Sequence, residues 1–185
     1  MKRRNFLLTS LLTIPAASFA GFKKIMRAKK GIKVSTAESR FNGQVKSGDT
    51  SAALCKISSV DTDGDLSFFA PGEKAFAAKG GPPLHIHLYQ DEIFYVVAGT
   101  FLIQVGDEQF HIEEGDTIFA PRQVPHAFTR ISDTGKMITV FQPAGKMEDF
   151  FSKLNGFTER PKPEEFVKLF EEHDMKIVGP PLTVK

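Results

Sequence analysis

Pro83-Leu84-His85-Ile86-His87-Leu88-Tyr89-Gln90-Asp91-Glu92 is answered some forty residues later by Pro121-Arg122-Gln123-Val124-Pro125-His126. Val, Ile, Phe, Tyr and Thr surround both segments, with Gly and Pro between them, which is strand and turn chemistry. Alternate side chains of a strand share a face. His85 and His87 therefore point the same way, and Ile86 points oppositely. Glu92 lies at an odd offset from His87, so one unbroken strand would send it to the other face. The polar break Tyr89-Gln90-Asp91 permits a turn, after which Glu92 opens a new strand and faces back toward the pair. On that strand Glu92, Phe94 and Val96 share one face, and Ile93, Tyr95 and Val97 the other. His126 opens a further strand behind two prolines, with Phe128 and Arg130 on its own face.

Three imidazoles and a carboxylate are ordinary ligands of first-row transition metals. Such a set surrounds a single ion and leaves positions open for water or substrate. A closed structural zinc site would fill its positions and recruit cysteines. The chain has one cysteine, Cys55, far from both segments. The expected cofactor is one divalent transition metal (Fe, Mn, Ni, Co, Cu or Zn) on His85, His87, Glu92 and His126.

These residues resemble the two-motif signature of the cupins. His85, His87, Glu92 and Gly99 fit the first motif, with Gly80 one residue closer than the usual glycine. Gly115, Pro121 and His126 fit the second. Gln123 stands where a glycine is common and Arg130 where an asparagine is common. The resemblance carries over the four metal ligands. It implies an all-β fold, a double-stranded β-helix or jelly-roll barrel. The spacing of the strands and turns agrees, and one barrel fits residues 50–143. Each of the motifs occurs once, which makes a single-barrel protein.

The 185 residues suit one domain with a sizeable core. The N-terminus reads as a targeting segment. Met1-Lys2-Arg3-Arg4-Asn5-Phe6-Leu7 is a twin-arginine start, followed by an apolar run to Ala20 and small residues suited to cleavage after Ala20. Pro15 interrupts that run, which is shorter than the ~20 residues of a spanning helix. Residues 1–20 are therefore read as a signal peptide for export, to the periplasm, with no membrane span after its removal. A basic cluster, Lys23, Lys24, Arg27, Lys29 and Lys30, then opens a linker and arm over residues 21–49. It lacks aromatic interleaving and reads as a solvated tail rather than a nucleic-acid surface. Asp61-Thr62-Asp63-Gly64-Asp65 lacks the Gly and Glu positions of a calcium loop and reads as a turn.

Residues 144–185 change character. Met147 to Leu154 and Pro163 to His173 have helical periodicity, with Asn155-Gly156 as a stop and Pro163 as a start. Phe166, Leu169 and Phe170 are expected to pack on the barrel or on a partner subunit. His173, in a Glu-rich segment, and His111 are expected at the surface. This short helical tail, ending Gly179-Pro180-Pro181-Leu182, resembles that of the quercetin-dioxygenase-like cupins over roughly residues 60–182.

The fold alone does not give the reaction. The leading expectation is an oxidoreductase of the dioxygenase type, acting with O2 on a small aromatic or enol substrate. Phe94, Val96 and Phe128 would make the site poor in water, and Glu92 would double as general base. The plainer reading of Arg130 is a salt bridge or rim position, and its functional reading is a partner for an anionic substrate group. The alternatives are a non-redox isomerase or lyase acting on a sugar or keto acid, and a ligand-binding cupin without turnover. The resemblance to cupins implies a homodimer through the arm strand and tail as one expected assembly.

Overall fold

The computed structural model describes residues 27–49, 51–72, 80–159 and 161–184. The segment 1–20, read above as a signal peptide, and Lys23 and Lys24 of the basic cluster lie outside the described residues. Among the described residues no helix is long and apolar enough to cross a membrane.

The arm comes first. β1 (Glu38–Phe41) and β2 (Gln44–Ser47) form a hairpin. It turns at Asn42-Gly43, where both residues have positive φ (49° and 74°), the backbone that a two-residue hairpin of matching twist demands. β3 (Ala53–Ile57) leads into a 3₁₀ turn at Ser59–Thr62. Asp61 of that turn accepts both bonds of a fork from Arg40 Nε, at 2.7 and 2.9 Å, which fastens the arm to the barrel. The acidic run is thus a turn tied to an arginine.

Among the described residues nine strands follow: β4 (Ser67–Pro71), β5 (Pro83–His87), β6 (Asp91–Ala98), β7 (Phe101–Val105), β8 (Glu108–Ile112), β9 (Thr117–Ala120), β10 (His126–Arg130), β11 (Lys136–Gln142) and, after two helices, β12 (Met175–Pro181). They make two five-stranded antiparallel sheets, in the orders β12-β5-β10-β7-β8 and β3-β4-β11-β6-β9. The expected all-β jelly roll is observed. Between the sheets lie Phe94, Val96, Phe101, Ile103, Ile112, Ala120 and Met137, all buried. Along β6 the burial alternates as the sequence dictates, with Glu92, Phe94 and Val96 inside and Tyr95 and Val97 exposed.

The tail holds two helices, α1 (Met147–Gly156) and α2 (Pro163–Glu172). Their apolar faces pack on the barrel: Met147, Phe150, Leu169 and Phe170 join Cys55, Phe69, Phe141 and Met175 in a second buried cluster. The tail is not helical throughout. Its last segment, β12, pairs with β5 and places Met175 opposite His87 and Ile177 opposite His85.

Two surface expectations part company. His111 is exposed on β8, as expected. His173 is only 1% exposed, contrary to its reading as a surface residue. Its Nδ1 lies 2.6 Å from the Leu169 carbonyl and its Nε2 3.0 Å from Asp149 Oδ2. It pins the end of α2 to α1, and this contact between helices outweighs the polarity of its sequence neighbours.

Glu148 fixes the other end of the tail. It is buried, and its carboxylate accepts bonds from the Asn42 amide (3.1 Å), the Ser58 hydroxyl (3.1 Å), the Ser59 amide (2.9 Å) and the Ser59 hydroxyl. One α1 side chain thereby holds the arm turn and the 3₁₀ turn together. The Cys55 thiol lies 3.7 Å from the same carboxylate. Burial and that negative charge push the thiol well above its usual range, so Cys55 is inert packing rather than a nucleophile.

Candidate metal centre

His85 and His87 stand on β5, two residues apart and on its buried face, with Ile86 turned away. His126 opens β10, the neighbouring strand, and is the register partner of His85. Direct partners on adjacent strands hold their Cβ atoms about 5 Å apart, so three imidazoles meet on the inner face of one sheet. Glu92 comes from β6 in the facing sheet and completes the group. All four are nearly sealed from solvent: His85 is 6% exposed, His87 1%, Glu92 5% and His126 1%. Their ligand atoms all lie within 4.8 Å of one another.

The backbone fixes how two of the rings present themselves. His85 Nδ1 lies 2.9 Å from the Pro83 carbonyl, and His126 Nδ1 2.9 Å from the Val124 carbonyl. A carbonyl only accepts, so each Nδ1 donates and each Nε2 is turned to the centre, the outer-shell arrangement that orients metal-binding histidines. Glu92 Oε2 sits 2.8 Å from His126 Nε2 and 3.2 Å from His87 Nε2. The donor set, its convergence and its orientation fit a single first-row transition ion.

The electrostatics follow from burial and contact. Burial, with His126 and His87 adding to it, pushes His85 down to about 3, so this ring is neutral at any ordinary pH. Burial works against ionisation of Glu92, but hydrogen bonds from His126 and His87, with their charge, overcome it and hold the carboxyl below its usual range. Burial likewise opposes protonation of His126, and the hydrogen bond to Glu92 outweighs it and raises that ring. The contact between His126 Nε2 and Glu92 Oε2 thus occupies the space where an ion would bind.

A cavity of ≈ 650 Å³ adjoins the centre, with His85, His87 and Glu92 among its lining residues. Phe128 and Arg130 line it too, as the alternation along β10 requires. Phe94 and Val96 do not. Both are buried, but they belong to the core between the sheets, where Phe94 meets the edge of His126 at 6.3 Å between ring centres. The walls come largely from Phe69, Phe141 and Met137 of the barrel and from Phe150, Phe151, Leu154, Phe166 and Phe170 of the helices. The expectation that the helices pack on the barrel is met, and they also close over the cavity. Sequence reasoning missed that second role, because which element covers a barrel is decided by packing between distant segments.

The second motif departs from the common pattern at Gln123, and the backbone gives the reason for the pattern. Gln123 has φ 65°, the left-handed region that favours glycine. Its amide donates to the His87 carbonyl at 2.8 Å, so this strained residue ties the loop before His126 to the strand of His87.

Residues 66–141 match the family described as Cupin domain. An uncharacterised protein of Methanocaldococcus jannaschii is 33% identical over 67 residues, which are 36% of this chain and 54% of that one. The chain spans about half the length of the curated relatives it matches. Among solved structures, KdgF from Halomonas sp. is 26% identical over 50% of this chain and 81% of its own, with a TM-score of 0.40. An RmlC-like cupin from Shewanella frigidimarina is 24% identical over 50% and 75%, also with a TM-score of 0.40. The matched segment holds both histidine motifs and most strands of the two sheets, and it is over residues 66–141 that this chain is similar to the cupin domain.

Proposed function

We infer that this chain is a metal-dependent oxidoreductase of the dioxygenase type, acting on a small aromatic or enol substrate in the manner of quercetin-dioxygenase-like cupins. The observation that carries the reading is the meeting of two features. A buried three-histidine, one-glutamate cluster opens onto a cavity walled by phenylalanine and methionine. Flat apolar molecules suit such walls, and sugars do not.

His85, His87, Glu92 and His126 would hold the ion, which would supply Lewis acidity and one-electron chemistry. The rest is the work of this chain's own groups. The aromatic walls exclude water and orient a planar ring. Glu92 is ionised and bonded through a single oxygen, Oε2, to two imidazoles. That carboxylate takes the proton of a substrate hydroxyl and so acts as general base. Arg130, on the inner face of β10, adds positive charge to the wall. Export of the folded protein through the segment 1–20 belongs to the same proposal.

The test is metal content together with O2 consumption over a panel of flavonols and enols. Near-stoichiometric Fe, Mn, Ni, Co or Cu with O2 uptake supports the reading. Stoichiometric metal with turnover that needs no O2 replaces it with isomerase or lyase chemistry, and tight ligand binding without product replaces it with a binding role.

A further inference from the structure

β11 is the middle strand of its sheet, and its inward residues Met137, Thr139 and Phe141 all line the cavity. Thr139 is the polar one. It lies between two phenylalanines, opposite Phe94 of β6 on one side and Phe69 of β4 on the other. Its backbone is paired on both flanks and its side chain points inward, yet the residue is half-buried rather than sealed. The surface it keeps is therefore surface of the cavity. Among the described residues its hydroxyl makes no hydrogen bond, and the oxygen is not shut away from solvent. Ser67 gives the contrast. It is the register partner of Phe141, it is 0% exposed, and its hydroxyl is closed off. Valine has nearly the shape of threonine and the same preference for strands, so neither the strand nor the core requires a hydroxyl at this point.

Thr139 also stands close to the candidate metal centre. Phe141, the next inward residue of β11, is the register partner of Glu92. Thr139 and Glu92 are thus diagonal neighbours on one face of the sheet, about 7 Å apart between Cα atoms. A planar ring that meets the His/Glu cluster with one oxygen spans this interval with another on its far side.

We propose that Thr139 is a specificity-determining residue whose Oγ1 hydrogen-bonds a second oxygen of the bound substrate. The ligand class is a planar ring molecule with oxygens on opposite sides, one for the His/Glu cluster and one for Thr139. This rests on the reading of the cavity as a substrate site and deepens it. A ligand that fills the cavity displaces water from its walls, and an analogue without the second oxygen leaves the hydroxyl unpaired.

The experiment compares two flavonols, kaempferol and galangin, which differ by one hydroxyl on the far ring, present in kaempferol alone. Their dissociation constants are measured by equilibrium dialysis without O2 on the purified protein and on Thr139→Val and Thr139→Ser, all with matched metal content. Wild type is expected to prefer kaempferol. Thr139→Val should lower kaempferol affinity about fivefold to tenfold, the worth of one hydrogen bond, and leave galangin affinity unchanged. Thr139→Ser keeps the hydroxyl and should keep most of the preference. A ratio of the two affinities that stays at its wild-type value in Thr139→Val overturns the proposal. A parallel loss for both flavonols does so too, since that is the mark of a merely structural role. Wild-type protein that binds neither flavonol overturns it together with the substrate-cavity reading. Absence of O2 uptake, by contrast, strikes the dioxygenase assignment alone, since these probes report binding and not turnover.

Discussion

Phe170 of the tail meets His85 of the barrel edge to face, with ring centres 5.5 Å apart and planes at 89°. Neither residue gains this position alone. Phe170 is 2% exposed and packs in turn on Phe150, at 5.2 Å, and on Phe166, at 4.9 Å. An aromatic cluster from two helices therefore stands behind a residue of the candidate metal centre, and the tail packs on both the core and that centre.

Phe170→Ala is expected to lower unfolding free energy by about 3–5 kcal/mol, as aromatic truncations in a core do. It is also expected to weaken metal binding by about tenfold or more, the usual scale for loss of an outer-shell contact. Phe170→Leu fills most of the space and should restore most of the stability. Urea denaturation and a competition titration with a metal chelator measure the two effects separately.

Glu148 is the counterpart at the start of α1. Glu148→Ala leaves the donors of Asn42, Ser58 and Ser59 without their common acceptor. A loss of about 3 kcal/mol is expected, since each buried unsatisfied group costs about 1–3 kcal/mol and some regain water. Glu148→Gln keeps one acceptor oxygen and should lose less. Urea unfolding midpoints decide the order.

Gln123→Gly removes a side chain from a left-handed backbone. That conformation costs a non-glycine residue about 1 kcal/mol or more, and glycine's greater freedom in the unfolded chain takes part of the gain back. A net stabilisation of up to about 1 kcal/mol is expected, seen as a rise of a few degrees in Tm. The side chain of Gln123 is exposed, so no core contact offsets the change.

The pH dependence of metal binding follows from the shifts at the centre. His126 is raised, so it keeps its proton to a higher pH than an ordinary imidazole, and that proton must leave before Nε2 binds an ion. Affinity therefore rises with pH until His126 is neutral and then levels. His85, pushed down to about 3, and Glu92, held below its usual range, add no competing proton near neutrality. The thermal stabilisation produced by a saturable metal is expected to shrink as pH falls from about 8 to about 5, across the imidazole range. A stabilisation flat over that span counts against His126 as a ligand.

The centre was legible in the sequence because its logic is local. His85 and His87 need only strand alternation, and Glu92 needs only the break at Tyr89-Gln90-Asp91. The helices of the tail were legible for a similar reason, with Pro163 at one start and Asn155-Gly156 at the other end. β12 was not. Met175-Lys176-Ile177-Val178-Gly179-Pro180-Pro181 carries a glycine and two prolines, which speak against a strand. The structure tolerates them because β12 is the edge of its sheet, and its register slips between Ile177 and Pro181. His173 was misread because Glu171, Glu172 and Asp174 describe a surface, while α1 folds over the ring. Phe94 and Val96 were correctly turned inward, but alternation does not say how far along the barrel the core ends and the cavity begins.

The central claim is that His85, His87, Glu92 and His126 hold a transition ion together. Mass-spectrometric metal analysis of the purified wild-type chain, beside His85→Ala and His126→Ala, tests it most directly. Wild type should carry close to one ion per chain, and each variant should lose it while its circular dichroism stays that of a folded barrel. Wild-type protein that binds no transition metal after loading, or folded variants that keep a full complement, would contradict the account.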